Sequence, residues 1–319
     1  MQNNRITYLD AAKGVAILLM MLDHIWGFNN PVSEWIYSFH MPIFFIISGI
    51  LIKYTNAEQR NLSKIIISKL KGLLIPYLVF EFGFVIIFGT LHKFDYNVLK
   101  WHAYDGLLLN PANGPLWFLI CIFISEIVFI SIKKYIKNPK IQYLIVSVIY
   151  VVPFFVHINN LYVTILLRCC STIGFIGIGY ISCLLVFKKD YSIFVILTVA
   201  VVNVILSAIN GKVNLYTLNY SNPILYTICA LLGLYSVIFL LKKMNSKVLE
   251  FLGQNTLFLL GTHMIMRGVI TRVLHIEAST YLGGIVILII MCLILTPVIV
   301  FVNKYMPFVV GKKRVESIK

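Results

Sequence analysis

The chain has 319 residues, 60% of them hydrophobic and only 12% charged, and carries a formal net charge of +15. Soluble globular domains hold about 25% charged residues, so this composition places the chain among integral membrane proteins. The excess of Lys and Arg falls in short clusters between apolar runs, where it sets topology; it builds no basic face for nucleic acid.

A bilayer-crossing helix needs about 20 mostly apolar residues. In chain order such segments fall near 12–28, 34–52, 72–91, 115–132, 141–158, 163–187, 191–209, 222–241, 255–274 and 280–303. The first is interrupted by Asp23 and His24, lacks a small-residue cleavage site and is soon followed by a second apolar run, so it reads as a retained span. The longest break, roughly 92–114, leaves no room for a soluble domain, and residues 1–319 are expected to form a single transmembrane domain. Six cysteines all lie inside apolar runs and none forms a C-x-x-C pair, which supports neither a disulfide framework nor a metal site.

Loop charge tests the count of spans. With the N-terminus cytoplasmic, the inside segments hold Arg5 and Lys13; Lys53, Arg60, Lys64, Lys69 and Lys71; Lys133, Lys134, Lys137 and Lys140; Lys188 and Lys189; Lys242, Lys243 and Lys247; and Lys304, Lys312, Lys313, Arg314 and Lys319. The outside loops hold Lys93, Lys100 and Lys212, a split of 21 to 3. Cytoplasmic loops are the basic ones in membrane proteins. The expected fold is therefore all-α and polytopic, with about ten transmembrane helices and both termini cytoplasmic.

Ionisable groups inside spans are costly and mark function. Here they are Asp23, His24, His40, Glu81, Glu126, Arg168, His263, Arg267 and Arg272. At a rise of ~1.5 Å per residue, His24 lies about 16 Å along a helix from Lys13, and eleven residues is close to three turns, so both project from one face. Groups from six helices thus fall in one central layer, which suits a shared cavity. Pro42, inside the second span, is expected to kink it and open the outer side beside His40.

Four blocks carry a family resemblance. The stretch I-x-x-L-D-A-A-K-G at residues 6–14, leading to His24, resembles the opening of the acyltransferase-3 family, and its L-D-x-x-K-G form looks like the fucose 4-O-acetylase-like branch. SFHMPIFFIISGIL at 38–51, GPLWFLICIF at 114–123 and LGQNTLFLLGTH at 252–263 are similar to further family segments, in the family's order. The resemblance implies a membrane O-acyltransferase that moves an acyl group, acetyl or succinyl, from cytosolic acyl-CoA to a hydroxyl of a cell-surface polysaccharide or its lipid-linked precursor. Acyl-CoA would be a co-substrate, with no permanently bound cofactor. The residue matching the family's presumed catalytic histidine is His24, and Lys13 matches a basic residue on the donor side. The family's R-x-x-R element before the third helix is here Lys69-Leu-Lys71-Gly72, so its second arginine is absent.

The chemistry fits the residues. A sugar hydroxyl must lose its proton as it attacks a thioester, and a histidine of ordinary pKa near 6.5 is a suitable general base. Asp23, Glu81 or Glu126 can orient the His24 ring. Lys13, Lys69 and Lys71 can hold donor phosphates as point charges. His40, Arg168, His263 and Arg267 are candidates for the acceptor, the last two sharing a helix face. A polysaccharide or solute transporter in the cell membrane is the rival reading, since a polar central layer serves either.

Overall fold

A computed structural model describes residues 5–27, 30–91, 96–107, 109–156 and 158–312. In chain order it comprises α1 (Thr7–Trp26), α2 (Pro31–Tyr37), α3 (His40–Tyr54), α4 (Leu62–Lys69), a π-helical turn (Leu70–Leu74), α5 (Ile75–Leu91), α6 (Tyr96–Leu107), α7 (Trp117–Tyr135), α8 (Pro139–Val151), α9 (Leu161–Lys188), α10 (Ile193–Asn210), α11 (Pro223–Lys243), α12 (Lys247–Gln254), α13 (Thr256–Leu274) and α14 (Tyr281–Tyr305). Among the described residues the only strand-like pairing is a lone bridge between Asn214 and Asn219. Helices satisfy every backbone group internally, which the hydrocarbon phase demands. The charges expected at Lys93, Lys313, Arg314 and Lys319, and positions 28 and 157 of the expected spans, lie outside the described residues.

Eight helical segments among the described residues are long and apolar enough to cross a bilayer. The protein is thus an all-α, polytopic membrane protein. The two further spans expected near 12–28 and 141–158 correspond to α1 and α8. The first has the length, 20 residues, but carries Asp10, Lys13 and Asp23. The second has only 13 residues before a 3-10 turn at Val152–Phe154. Short helices α6 and α12 occupy what the sequence read as loops, and the span expected from residue 72 is preceded by α4 and the π turn.

The segment 34–52 is two helices, and the expected kink at Pro42 is corrected. The chain breaks at Ser38–Phe39, where Phe39 leaves helical geometry (φ −147°, ψ −20°) to start α3. Pro42 lies in the first turn of α3, where no intrahelical N–H donor is needed, so it begins a helix instead of bending one. His40 Nδ1 donates to the Ile36 carbonyl across the break (2.8 Å), an oxygen that also accepts the Phe39 N–H (3.3 Å).

The contacts divide the chain into two compact units, each discontinuous in sequence. The first comprises Met1–Asp23, Gly27–Leu62 and Ile124–Gln254. Its centre is the crossing of α3 and α9, which small residues allow to approach closely. A Cβ on Gly49 would sit 1.9 Å from the Ile176 carbonyl oxygen, and one on Gly179 would sit 1.9 Å from that of Ile46. Several basic ends meet at one end of this unit. Phe187 packs on Tyr8 and stacks on Tyr54. Lys242 donates to the Lys189 carbonyl (2.9 Å), Lys134 to that of Arg60 (2.6 Å). In the turn between α9 and α10, hydrogen bonding from Lys243 holds the exposed Asp190 carboxyl below its ordinary value.

The second unit comprises His24–Trp26, Ser63–Phe123 and Asn255–Lys319. Here α13 packs on α5 and α14, and α5 on α6. Gly311, at φ +65°, lets the segment after α14 close on the π turn: a Cβ there would lie 2.7 Å from the Gly72 Cα. Lys312 Nζ then donates to Asn255 (2.6 Å) and Asn303 (2.8 Å).

Candidate active site

The site begins where α1 ends. Gly27 adopts the left-handed conformation (φ 64°) and its N–H bonds back to the Asp23 carbonyl, an αL stop that fixes His24 in the last turn. Trp26 anchors that turn within the second unit: its Nε1 donates to the Tyr281 carbonyl (3.3 Å), and Gly284 leaves the room its indole fills.

His24 Nδ1 lies 2.8 Å from Nε2 of His263 on α13, with the ring planes 21° apart. The proton positions follow from the far side of His263. Its Nδ1 faces the carbonyl oxygens of Leu259 (3.0 Å) and Leu260 (2.9 Å), which only accept, so Nδ1 bears the hydrogen. In the neutral ring Nε2 is then an acceptor, and it must receive Nδ1–H of His24. That leaves the lone pair of His24 on Nε2. Burial separates the roles: His263 is 1% exposed, whereas His24 is partly open. The more accessible ring thus carries its lone pair on Nε2, and the enclosed ring accepts its Nδ1–H.

A second set of bonds holds the region before His263. Glu81 accepts the backbone N–H groups of Ala112 (2.6 Å) and Asn113 (3.1 Å), and Asn113 Nδ2 donates to the Gly261 carbonyl (2.9 Å). Phe80 fills the space left by Gly261. The loop that opens the P-L-W-F-L block is therefore fastened to α5 and to α13 two residues before His263. Sequence reasoning missed Asn113; its one signal was its place beside the Gly114-Pro115 turn.

Several of the other candidates have partners of their own. Asp23 is hydrogen-bonded by Ser33 and Tyr37, and Glu126 by Ser48. Glu81 caps the 112–113 backbone. A carboxylate from Asp23, Glu81 or Glu126 was expected to orient the His24 ring; the group that meets His24 Nδ1 is instead an imidazole 239 residues distant in sequence. His40 is 2% exposed and bonded to Ile36, so it lies within the packed interior of the first unit. Arg168 Nε donates to the Tyr216 carbonyl (2.7 Å) and its guanidinium covers the Tyr216 ring (3.9 Å), pinning the 211–222 loop. Lys13 pairs with Asp10 at 2.6 Å. Lys69 ends α4 and Lys71 is exposed on the π turn. Arg267 and Arg272 line a groove along α13. Among the described residues no group of His, Cys, Asp and Glu could hold a metal.

The acyltransferase-3 profile, described as an acyltransferase domain, matches residues 6–303. The chain belongs to the acyltransferase-3 family. No curated protein and no solved structure matches it significantly. Membership makes it a membrane acyltransferase, and the structure gives physical content to blocks that resemble the family. In L-D-x-x-K-G the acid and the base form an i,i+3 ion pair, while Gly14 meets α12: a Cβ on Gly14 would lie 2.1 Å from the Leu249 carbonyl oxygen, and one on Gly253 1.7 Å from that of Asp10. The first and last blocks interlock at these glycines. At Gly72, where the R-x-x-R element departs, an added Cβ meets nothing within 4 Å, so packing does not demand the glycine.

Proposed function

We propose that the chain transfers an acyl group, acetyl or succinyl, from cytosolic acyl-CoA to a hydroxyl of a cell-surface polysaccharide or its lipid-linked precursor, in the cell membrane. The observation that carries this reading is the His24–His263 pair, which leaves a basic nitrogen on the more open ring. His24 Nε2 takes the proton of the acceptor hydroxyl as its oxygen attacks the thioester carbonyl. The imidazolium so formed keeps its Nδ1–H bond to His263, which disperses the new charge. Collapse of the tetrahedral intermediate breaks the C–S bond, and the proton passes from His24 to the departing thiolate. The products are the acyl ester and free CoA thiol. Lys13, on the same helix about 16 Å from His24, together with Lys69 and Lys71, supplies cations for the donor phosphates.

The direct test is thiol release from acetyl-CoA or succinyl-CoA by purified protein in detergent, with and without a glycan acceptor. Acceptor-dependent release is expected; no release with any acyl-CoA points to transport. Lys13→Ala should weaken acyl-CoA binding about tenfold, more so at low salt, where a phosphate contact counts most. Unchanged affinity would leave Lys13 as the partner of Asp10 alone.

The same reading takes α1 and α8 as crossing the membrane, giving ten spans with both termini cytoplasmic. Single cysteines placed in the 102–107 or 211–220 segment of a variant lacking the six native ones should react with an impermeant reagent on intact cells. Labelling only after the membrane is opened would overturn this orientation.

A further inference from the structure

Beyond His263, α13 carries Met264, Arg267, Gly268, Thr271 and Arg272 at three- and four-residue intervals, a single stripe that lines an open groove of ≈ 400 Å³. Its floor is bare at Gly268, where an added Cβ would meet nothing within 4 Å. Two arginines share this groove. Among the described residues neither has a carboxylate within ion-pair distance, and Glu277 in the following turn is engaged by Ser279 (2.7 Å). Arg272 in the last turn favours the helix dipole. That account fails for Arg267, which sits in the middle of α13, one turn past His263. Arginines in spanning helices are retained where they meet an anion or a substrate path.

We propose that this groove is an oxyanion site that receives a carboxylate or phosphate carried by the acceptor, so that the preferred acceptors are acidic glycans. The guanidinium fork matches either group in a bidentate fashion. The two arginines lie about 7.5 Å apart along the axis, a spacing that suits successive charged groups better than one. The assignment of this ligand as the acceptor rests on the acyl-transfer reading above; the anion site itself does not.

The test uses purified full-length protein in phosphatidylcholine nanodiscs, titrated calorimetrically with a glucuronate-containing hexasaccharide and with its carboxyl-reduced, neutral counterpart. The acidic sugar should bind at least tenfold more tightly. Arg267→Gln and Arg272→Gln should each remove most of that preference while leaving acetyl-CoA binding unchanged. Gly268→Leu, whose Cβ would meet nothing within 4 Å, should weaken the acidic sugar in a chain that keeps both charges. Equal binding of the two sugars, or an unaltered preference in the double arginine variant, would overturn the proposal. Nanodiscs containing phosphatidylglycerol separate the sources: loss of sugar binding there would make the oxyanion a lipid headgroup and refute the acceptor assignment. A protein that discriminates the sugars but releases no thiol from acetyl-CoA would sink the acyl-transfer reading and keep the anion site. Normal thiol release without discrimination would do the reverse.

Discussion

Replacing His24 by Gln should lower acyl transfer by about 10²–10⁴-fold while acyl-CoA still binds, the usual worth of a positioned general base. Glutamine keeps bulk and hydrogen bonding near Nδ1 but cannot take a proton. The loss should therefore appear in kcat, with donor affinity preserved. Turnover within a factor of three of the wild type would make His24 structural.

The support role of His263 has its own signature. His263→Phe deletes the acceptor for His24 Nδ1–H and should cost a smaller factor, of order 10–10², because the base survives without its orienting partner. It should also displace the acid limb of the pH–rate profile, which a packing defect would not do. His263→Gln retains an acceptor oxygen and should recover part of the rate. An unmoved profile in the phenylalanine variant would remove His263 from the mechanism.

The largest stability effect should come from Gly253→Val, with Gly14→Val close behind. A Cβ on Gly253 falls 1.7 Å from the Asp10 carbonyl oxygen, and on Gly14 2.1 Å from that of Leu249. Backbone atoms cannot rotate aside as side chains do, so the helices must separate. Overpacking typically costs 1–3 kcal/mol and more where the backbone must shift, so about 3 kcal/mol or above is expected here. Gly83→Ala and Gly268→Ala are matched controls. Their added methyl meets nothing within 4 Å, so each should gain about 0.5–1 kcal/mol of helix propensity. Thermal unfolding in detergent checks both signs. A Gly253→Val protein as stable as the wild type would refute the close crossing.

These glycines illustrate how motif and packing divide. The blocks containing Gly14, Gly49 and Gly253 could be read as family signatures from sequence, yet their reason is contact with helices far along the chain. Pro42 is the converse case. Its rigid ring was legible as a break in helical structure, but only the observed start of α3 at His40 placed it where the ring is tolerated.

The sequence by itself determined the solvent, the class and the cast of residues. Too few charges for water and repeated runs of about 20 apolar residues leave only helices, because hydrocarbon cannot satisfy an open backbone. The register of one helix likewise put Lys13 and His24 on a common face, since the period of 3.6 is local. Partnership was decided only by tertiary structure. Asp23 adjoins His24 in sequence but is bonded by Ser33 and Tyr37, Glu81 spends both oxygens on the 112–113 backbone, and the ring that meets His24 comes from α13. Periodicity assigns a residue to a face of its own helix. It carries no information about which distant helix will pack there, because that choice depends on shape and on the close approaches that glycines permit.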